Sequence, residues 1–236
     1  MIRKIGILGA LITDVRFFLQ AMENYVIEKH LDTEFYVGML NNYKIILTYS
    51  GIGKVNAAIT SQFLIDNYNV EVILNIGIAG SISPNVKVGD IVIARDIIQH
   101  DVDLRSVGCP IGVIPQMQLS NFYANEDLIE IALRCSNFVN KHCHTYIGRV
   151  ASGDQFVSDA IKREEIRRTF SALCVDMESG AIAQAAALNA ISFLVIKFIS
   201  DNADGNASIE YRREINISYA FFYKLILELL KQLNKL

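Results

Sequence analysis

The sequence predicts one α/β domain with a largely parallel or mixed central sheet, and two patterns carry this prediction. Short runs rich in Val and Ile alternate with helical segments, which is typical of strands joined by helical crossovers. The run at residues 70–78 is almost continuously apolar, as expected for a strand that is buried on both faces. With 236 residues, of which 52% are hydrophobic, the chain can enclose a sizeable core.

Each element follows from these patterns and from turn residues. A strand at residues 4–8 turns at Gly9 and Ala10 into a predicted helix over residues 13–29. Two strands at 33–40 and 44–49 are expected to form a hairpin around Asn41 and Asn42, which tolerate turn conformations. The remaining predictions are helices at 55–67, 126–140, 159–169, 179–188 and 215–233, strands at 70–78, 90–98, 145–152, 173–177 and 193–199, and an irregular loop at 100–123.

Charge and cysteine content exclude several classes of protein. The net charge is −3 and the basic residues are scattered, so nucleic-acid binding is not expected. The apolar run at 193–199 is interrupted by Lys197 and is too short to span a bilayer, so no membrane association is expected. Four widely spaced cysteines without a CxxC pair favour reduced thiols in the cytoplasm.

Metal and cofactor signatures are weak or incomplete. The sequence His142-Cys143-His144 has no second cluster of ligands elsewhere in the chain, so no metal is expected. The glycine patterns lack the spacing of phosphate-binding and dinucleotide-binding loops. We therefore expect no cofactor.

Acidic residues follow the predicted strands at three places, in segments 152–156, 175–179 and 199–204. Ligands of open α/β sheets bind outside the carboxyl ends of the strands. Asp201 follows a very apolar strand, so desolvation would raise its pKa and allow it to donate a proton near neutral pH. Glu178 could offer two oxygens to vicinal hydroxyls. Taken alone, the residues favour the alternative that these acids only cap helices.

Eight motifs follow one another along the chain: KIGILGA at 4–10, SGIGKV at 50–55, NIGIAG at 75–80, VGDIV at 88–92, HDVD at 100–103, ASGDQF at 151–156, VDME at 175–178 and ISDNAD at 199–204. In this order they resemble the purine nucleoside phosphorylase superfamily, and most closely its hydrolase branch, the methylthioadenosine/S-adenosylhomocysteine nucleosidases. The resemblance implies a three-layer fold with a mixed sheet flanked by helices, and one catalytic domain over residues 1–236.

The resemblance also implies the chemistry, which is hydrolysis of the bond between adenine and ribose through an oxocarbenium-like transition state. Asp201 matches the acid that protonates N7 of adenine, and Ser200 orients it. Glu178 matches the carboxylate that grips the ribose hydroxyls, and Asp14 aligns with the usual water-activating Glu. The other positions assigned to the pocket are Met177 at the ribose, Phe156 and Val157 at the purine, and Leu11 and Ile52 at the ribose and the 5′ end.

Several positions depart from the family pattern, and they cluster where water is activated. Asp14 is one methylene shorter than the usual Glu, Lys197 replaces a common Arg, and Ile78 replaces a common Ser. Val107 stands where an aromatic residue is usual. The loop around Val107 and Pro115 matches the part that lines a neighbouring subunit's 5′ pocket, which implies a homodimer.

Four functions stay open on these grounds. The resemblance favours hydrolysis of methylthioadenosine and S-adenosylhomocysteine, as in methionine salvage. A close variant is hydrolysis of aminofutalosine through the same purine contacts. A phosphorolytic enzyme would need basic or hydroxyl groups converging on phosphate, and the loop at residues 9–14 offers an acid instead. The fourth is a nucleoside-binding homologue whose water site has decayed.

Overall fold

Ten strands form one mixed sheet in the computed structural model, which describes residues 4–139, 143–205 and 207–233, with the backbone alone described from 207 to 219. The strands are β1 Lys4–Gly9, β2 Glu23–His30, β3 Thr33–Leu40, β4 Tyr43–Tyr49, β5 Val72–Ser81, β6 Ile91–Gln99, β7 Asn121–Tyr123, β8 Thr145–Ser152, β9 Cys174–Asp176 and β10 Ser192–Asp201. The helices are α1 Ile12–Val15, α2 Lys54–Tyr68, α3 Glu126–Val139, α4 Ala160–Phe170, α5 Ser179–Leu188 and α6 Ala207–Leu233.

The sheet is partly closed upon itself. Its order is β10-β6-β8-β9-β5-β1-β4-β3-β2, and β10 also pairs with β5, so that β5, β10, β6, β8 and β9 form a ring. Within the ring β10 runs parallel to β5, whereas β9 runs antiparallel to it. The ring therefore brings the ends of β8, β9 and β10 to one region, beside the end of β5.

Helices cover the sheet in packed pairs and supply the rest of the core. α2 packs against α5, and α3 packs against α6, which also contacts β10. Every residue of β10 after Ser192 is buried, and β5 is buried at all positions except Ile78. This burial on both faces explains why the sequences of these two strands are continuously apolar instead of alternating. The predicted mixed sheet flanked by helices is confirmed.

The predicted helix at residues 13–29 is wrong. The helix α1 ends at Val15, a 3-10 turn follows at Arg16–Gln20, and residues 23–30 form the strand β2. β2 pairs antiparallel with β3, and the connection at Leu31 and Asp32 has positive φ at both residues, as a two-residue hairpin requires. The β-branched and aromatic residues of β2 and this pairing override the helical spacing of the preceding segment.

The predicted loop at 100–123 needs one correction. Its last three residues form β7, which pairs antiparallel with β6 and buries Phe122. A strand this short leaves no periodic signal in the sequence. The predicted strands at 33–40 and 145–152 and the predicted helix at 179–188 have the predicted bounds, and the other predicted elements are present with shifted ends, α6 starting earliest relative to prediction. Asn140 and His142 lie outside the described residues. No helix within the described ranges is long and apolar enough to cross a membrane.

Candidate active site

A cavity of about 200 Å³, partly open to solvent, lies where the strand ends meet. It brings together the predicted pocket residues from segments far apart in the sequence. These are Leu11, Asp14, Ile52, Ile78, Phe156, Val157, Met177, Glu178, Lys197, Ser200 and Asp201. The cavity is also lined by residues that were not predicted, Ala10, Gly77, Ala79, Gly80, Gln155, Val175 and Asp176.

Asp14 reaches the cavity from the first turn after β1. One of its oxygens, Oδ2, accepts hydrogen bonds from the backbone amides of Ala10 and Leu11 at 2.9 and 2.8 Å. This conformation needs Gly9, because a Cβ there would lie 2.5 Å from the Asp14 Cβ. Burial raises the pKa of Asp14, and this outweighs the two amides and the charge of Lys197. Such a carboxylate is a stronger base than an exposed one.

Glu178 lies between β9 and α5 and faces the loop before α2. Its Oε1 accepts a hydrogen bond from the amide of Gly53 at 2.9 Å. Burial, followed by the negative charge of Asp176, raises the pKa of Glu178 to about 7, against the opposing effects of Lys197 and of the Gly53 amide. The side chain can therefore exchange a proton near neutral pH.

Lys197 forms a buried ion pair with Asp176, whose role sequence analysis missed. Their Nζ and Oδ2 atoms are 2.7 Å apart, and the two side chains are 2% and 1% exposed. Lys197 is in register with Gly77 on β5, and a Cβ on Gly77 would lie 3.4 Å from its Nζ. A lysine inside an apolar strand needs a buried carboxylate as its partner, and this requirement is the signal that could have identified Asp176 in the motif VDME.

The Lys197 ammonium stays charged. Burial by itself would lower the pKa of Lys197, but the carboxylates of Asp176, Glu178 and Asp14 together hold it above its ordinary value. Asp176 is fixed in turn by the amide and the hydroxyl of Ser179, at 3.1 and 2.7 Å. Lys197 is thus held by one carboxylate while it acts electrostatically on two others.

Asp201 is the last residue of β10, where it is buried. Its two oxygens have different donors: Oδ2 accepts from the Ser200 hydroxyl at 2.7 Å, and Oδ1 accepts from the Ala203 amide at 2.9 Å. A Cβ on Gly80 would lie 2.9 Å from Oδ1, so the strand β5 makes room for this carboxyl. The predicted orienting contact of Ser200 is therefore present.

The residues that were predicted to contact the purine and the ribose differ in their exposure to solvent. Phe156 and Ile52 are 53% and 55% exposed at the mouth of the cavity, whereas Val157 is buried. Leu11 and Ile78 are partly buried on the side of Asp14 and Lys197. An exposed aromatic ring at the mouth offers a flat apolar face on which a planar heterocycle can stack.

Val107 and Pro115 lie away from the cavity of their own chain. Both belong to the segment between β6 and β7, in which Val107 is 72% exposed. The cavity is thus lined by the acidic residues and by Phe156 and Val157, but by no residue of this segment. Any role of these two residues in substrate binding must be exerted outside their own chain's cavity.

Sequence and fold comparisons agree with this geometry. The model of the phosphorylase superfamily matches residues 4–231. A 5'-methylthioadenosine/S-adenosylhomocysteine nucleosidase of Staphylococcus haemolyticus is 36% identical over 208 residues, 88% of this chain and 90% of the relative. The chain therefore belongs to the phosphorylase superfamily and, within it, to the family of the methylthioadenosine/S-adenosylhomocysteine nucleosidases.

Solved structures point to the same family. The nucleosidase of Neisseria meningitidis in complex with methylthio-immucillin-A has a TM-score of 0.92 and 31% identity, over 98% of this chain and 99% of the other. A futalosine hydrolase of Helicobacter pylori strain 26695 has a TM-score of 0.92 and 30% identity, with the same coverage. Both similarities extend over the whole fold and so include every element that forms the cavity.

Proposed function

We infer that the protein hydrolyses the N-glycosidic bond of 5′-methylthioadenosine and S-adenosylhomocysteine, releasing adenine and the 5′-thioribose. One observation carries this inference: the carboxyl groups of Asp14, Glu178 and Asp201 line one cavity beside an exposed aromatic ring. Breaking a glycosidic bond requires an acid for the leaving group, a base for water and an acceptor for the ring hydroxyls. The cavity offers one carboxyl group for each need.

The three carboxyl groups divide the reaction as follows. Asp201 gives a proton to N7 of adenine as the bond from N9 to the anomeric carbon breaks, and Ser200 orients it. Asp14 accepts a proton from the water that attacks the anomeric carbon. Glu178, in its ionised form, accepts hydrogen bonds from the ribose hydroxyls beside Met177. Phe156 stacks on the purine, and the Val157 backbone reads its edge.

The charge of the cavity favours water over phosphate as the nucleophile. Among its described lining residues Lys197 is the one cationic side chain, and its ammonium is already paired with Asp176. Phosphate would approach Asp14, whose carboxylate would repel it. Ile78 adds an apolar surface on the same side, where a phosphate-binding site would need hydrogen-bond donors.

An adenine-release assay tests this function. The enzyme is given methylthioadenosine and S-adenosylhomocysteine, each with and without added phosphate. We expect release at the same rate in both conditions. A requirement for phosphate would make the protein a phosphorylase. Tight binding of a transition-state-like adenine inhibitor without any adenine release would make it a nucleoside-binding homologue.

Aminofutalosine is the second candidate substrate, because a futalosine hydrolase shares the fold over the full chain. The purine wall and Asp201 would serve both substrates, and the 5′ substituent alone would distinguish them. The same assay with aminofutalosine gives the ratio of the two kcat/KM values. A ratio above one in favour of aminofutalosine would reassign the physiological substrate.

The segment with Val107 and Pro115 supports a homodimer in which this loop completes the neighbour's 5′ pocket. Val107 is exposed and contributes nothing to its own cavity, and the outer face of α2 exposes Val55 and Ile59. Such apolar residues favour burial against a partner. Sedimentation should show a dimer, and Val107→Asp should raise KM for methylthioadenosine. A monomer with an unchanged KM would contradict this arrangement.

We also propose that residues 1–236 act as one catalytic domain in the cytoplasm, within methionine salvage. Cys109, Cys135, Cys143 and Cys174 form no disulfide bond with one another, which supports a reducing compartment. The two product fragments, adenine and a thioribose, are the compounds that a salvage route would recover. Fractionation of cells followed by immunodetection tests the compartment, and membrane-bound protein would contradict it.

A further inference from the structure

Three residues outside the cavity lining, Lys54, Asp101 and Asp154, form a closed ring of hydrogen bonds and have no part in the catalytic roles of Asp14, Glu178 and Asp201. The Asp101 carboxylate accepts from the Lys54 ammonium at 2.7 Å and from the Asp154 amide at 2.9 Å. The Lys54 amide donates to the Asp154 carboxylate at 2.7 Å. The ring therefore ties together three separate segments: the start of α2, the end of β6 and the loop after β8.

None of these three residues lines the cavity, but Lys54 lies two positions after the lining residue Ile52 and Asp154 directly precedes the lining residue Gln155. Lys54 directly follows Gly53, whose amide donates to Glu178 at 2.9 Å. Asp154 stands two positions before Phe156. The segments are close enough that a Cβ on Gly53, which has a φ of +96°, would lie 3.1 Å from the Asp154 carboxylate. The same ring of hydrogen bonds thus supports the Gly53 segment, which contacts Glu178, and the segment that carries Phe156.

The ring is stiff because its central bond joins two charges with little access to water. The Lys54 and Asp101 side chains are 19% and 14% exposed, and Lys54 also donates to Gln99 at 3.1 Å. Burial by itself would raise the pKa of Asp101, but the Lys54 ammonium and the Asp154 amide hold it below its ordinary value. Asp101 is therefore ionised at neutral pH, and its charge-assisted bonds are short and strong.

We propose that Asp101 is a positioning residue for the hydrolysis, which holds the Gly53 amide on Glu178 and the Phe156 segment over the cavity. This inference rests on the proposed function. Asp101 contacts neither the substrate pocket nor Glu178. Its effect passes through Lys54 to the amide one residue earlier, and through Asp154 to the purine wall.

A positioning role has a signature in the pH profile, because the Gly53 amide favours the ionised form of Glu178. The other groups that face Glu178 are Asp176, Lys197 and Asp14, and none of them belongs to the ring. If the ring opens, the amide is held less firmly and the pKa of Glu178 rises. The acidic limb of kcat/KM should then move to higher pH, a change that loss of stability alone would not produce.

The test compares Asp101→Asn with Asp103→Asn in the full-length enzyme. Asn keeps the size of Asp101 but turns an amide group toward one of its two donors. We expect kcat/KM for methylthioadenosine to fall about tenfold or more. We also expect the acidic limb to move up by about half a pH unit or more. Asp103 pairs with Arg105 in a solvent-exposed contact at 2.6 Å, so its variant should match the parent.

Two outcomes overturn the proposal. One is an Asp101→Asn enzyme whose acidic limb and kcat/KM match those of Asp103→Asn. If circular dichroism shows that Asp101→Asn does not fold, the test uses Lys54→Met in its place. This variant removes the ammonium while the hydrogen bond between Asp101 and Asp154 persists. An unshifted limb in Lys54→Met overturns the proposal equally. Absence of adenine release by the unmodified enzyme is a different result, which contradicts the proposed function itself.

Discussion

The Lys197 ammonium lies 2.7 Å from the Asp176 carboxylate, and both side chains are almost fully buried. Removing two charges from water costs free energy, which such a pair recovers only with good geometry and further hydrogen bonds. Ser179 supplies two of these to Asp176. The pair places a fixed positive charge beside Asp14 and Glu178. It therefore contributes both to the stability of the fold and to the electrostatics of the site.

Lys197→Met should destabilise the protein strongly, because it leaves Asp176 buried without its counter-charge. We expect the free energy of unfolding to fall by about 3 kcal/mol or more. Urea denaturation measures this. The control is Lys162→Met, which breaks a surface pair with Glu165 at 3.2 Å and should change the free energy by about 0.5 kcal/mol or less. Equal losses of unfolding free energy in the two variants would mean that the buried pair stabilises the protein no more than the surface pair does.

Glu178→Gln should change stability in a manner that depends on pH. The pKa of Glu178 is raised from 4.5 in the unfolded reference to about 7 in the fold. A raised pKa contributes stability that is fully present below the unfolded value and is lost as pH rises through the folded value. The unmodified protein therefore loses stability between pH 4.5 and 7, whereas the Gln variant does not lose this contribution.

Denaturation at pH 5 and pH 8 measures the difference. Relative to the parent, Glu178→Gln should gain on the order of 1–3 kcal/mol between these two values. The matched control is Glu165→Gln, whose carboxylate is 48% exposed on the surface of α4. A difference between parent and Glu178→Gln that is the same at both pH values would contradict the raised pKa.

Sequence patterns were sufficient for the buried strands, whereas part of the cavity lining was not predicted. Continuous apolar runs identified β5 and β10, because each of these strands is buried at nine of its ten positions. The strand β2 was misassigned, since seven of its eight positions are exposed and leave no alternation to read. The pairing with β3 decides the conformation of β2, and a contact between two strands cannot be inferred from a short stretch of sequence.

The partners of the site residues could not be predicted from the sequence in the same way. Asp176 is separated from Lys197 by a whole helix and becomes its partner only because β9 and β10 both flank β5. The ring of Asp101, Lys54 and Asp154 likewise joins segments about fifty residues apart along the chain. Motif resemblance supplied the residues that face the substrate, whereas the fold supplies the residues that hold them.

Asp14→Asn should impair hydrolysis more than ligand binding. An Asn oxygen can still accept from the amides of Ala10 and Leu11, so the local turn should persist. The variant cannot take a proton from water, and kcat should fall about a hundredfold. Affinity for adenine should change little, because Asp14 serves the water side. Asp14→Glu, which keeps the carboxylate, should retain more activity than Asp14→Asn; equal loss of hydrolysis and affinity would make Asp14 mainly structural.

Asp201→Asn should nearly abolish turnover while leaving the fold intact. The amide oxygen can keep a hydrogen bond from Ser200 or from Ala203, so no large rearrangement is expected. Without an acid, adenine must leave as an anion, and kcat should fall about a hundredfold or more. The control is Asp204→Asn in the same motif, where the carboxylate lies 3.7 Å from Arg163. Adenine release within a few-fold of the parent by Asp201→Asn, with Asp204→Asn equally active, would refute the acid role and return Asp201 to a structural position at the end of β10.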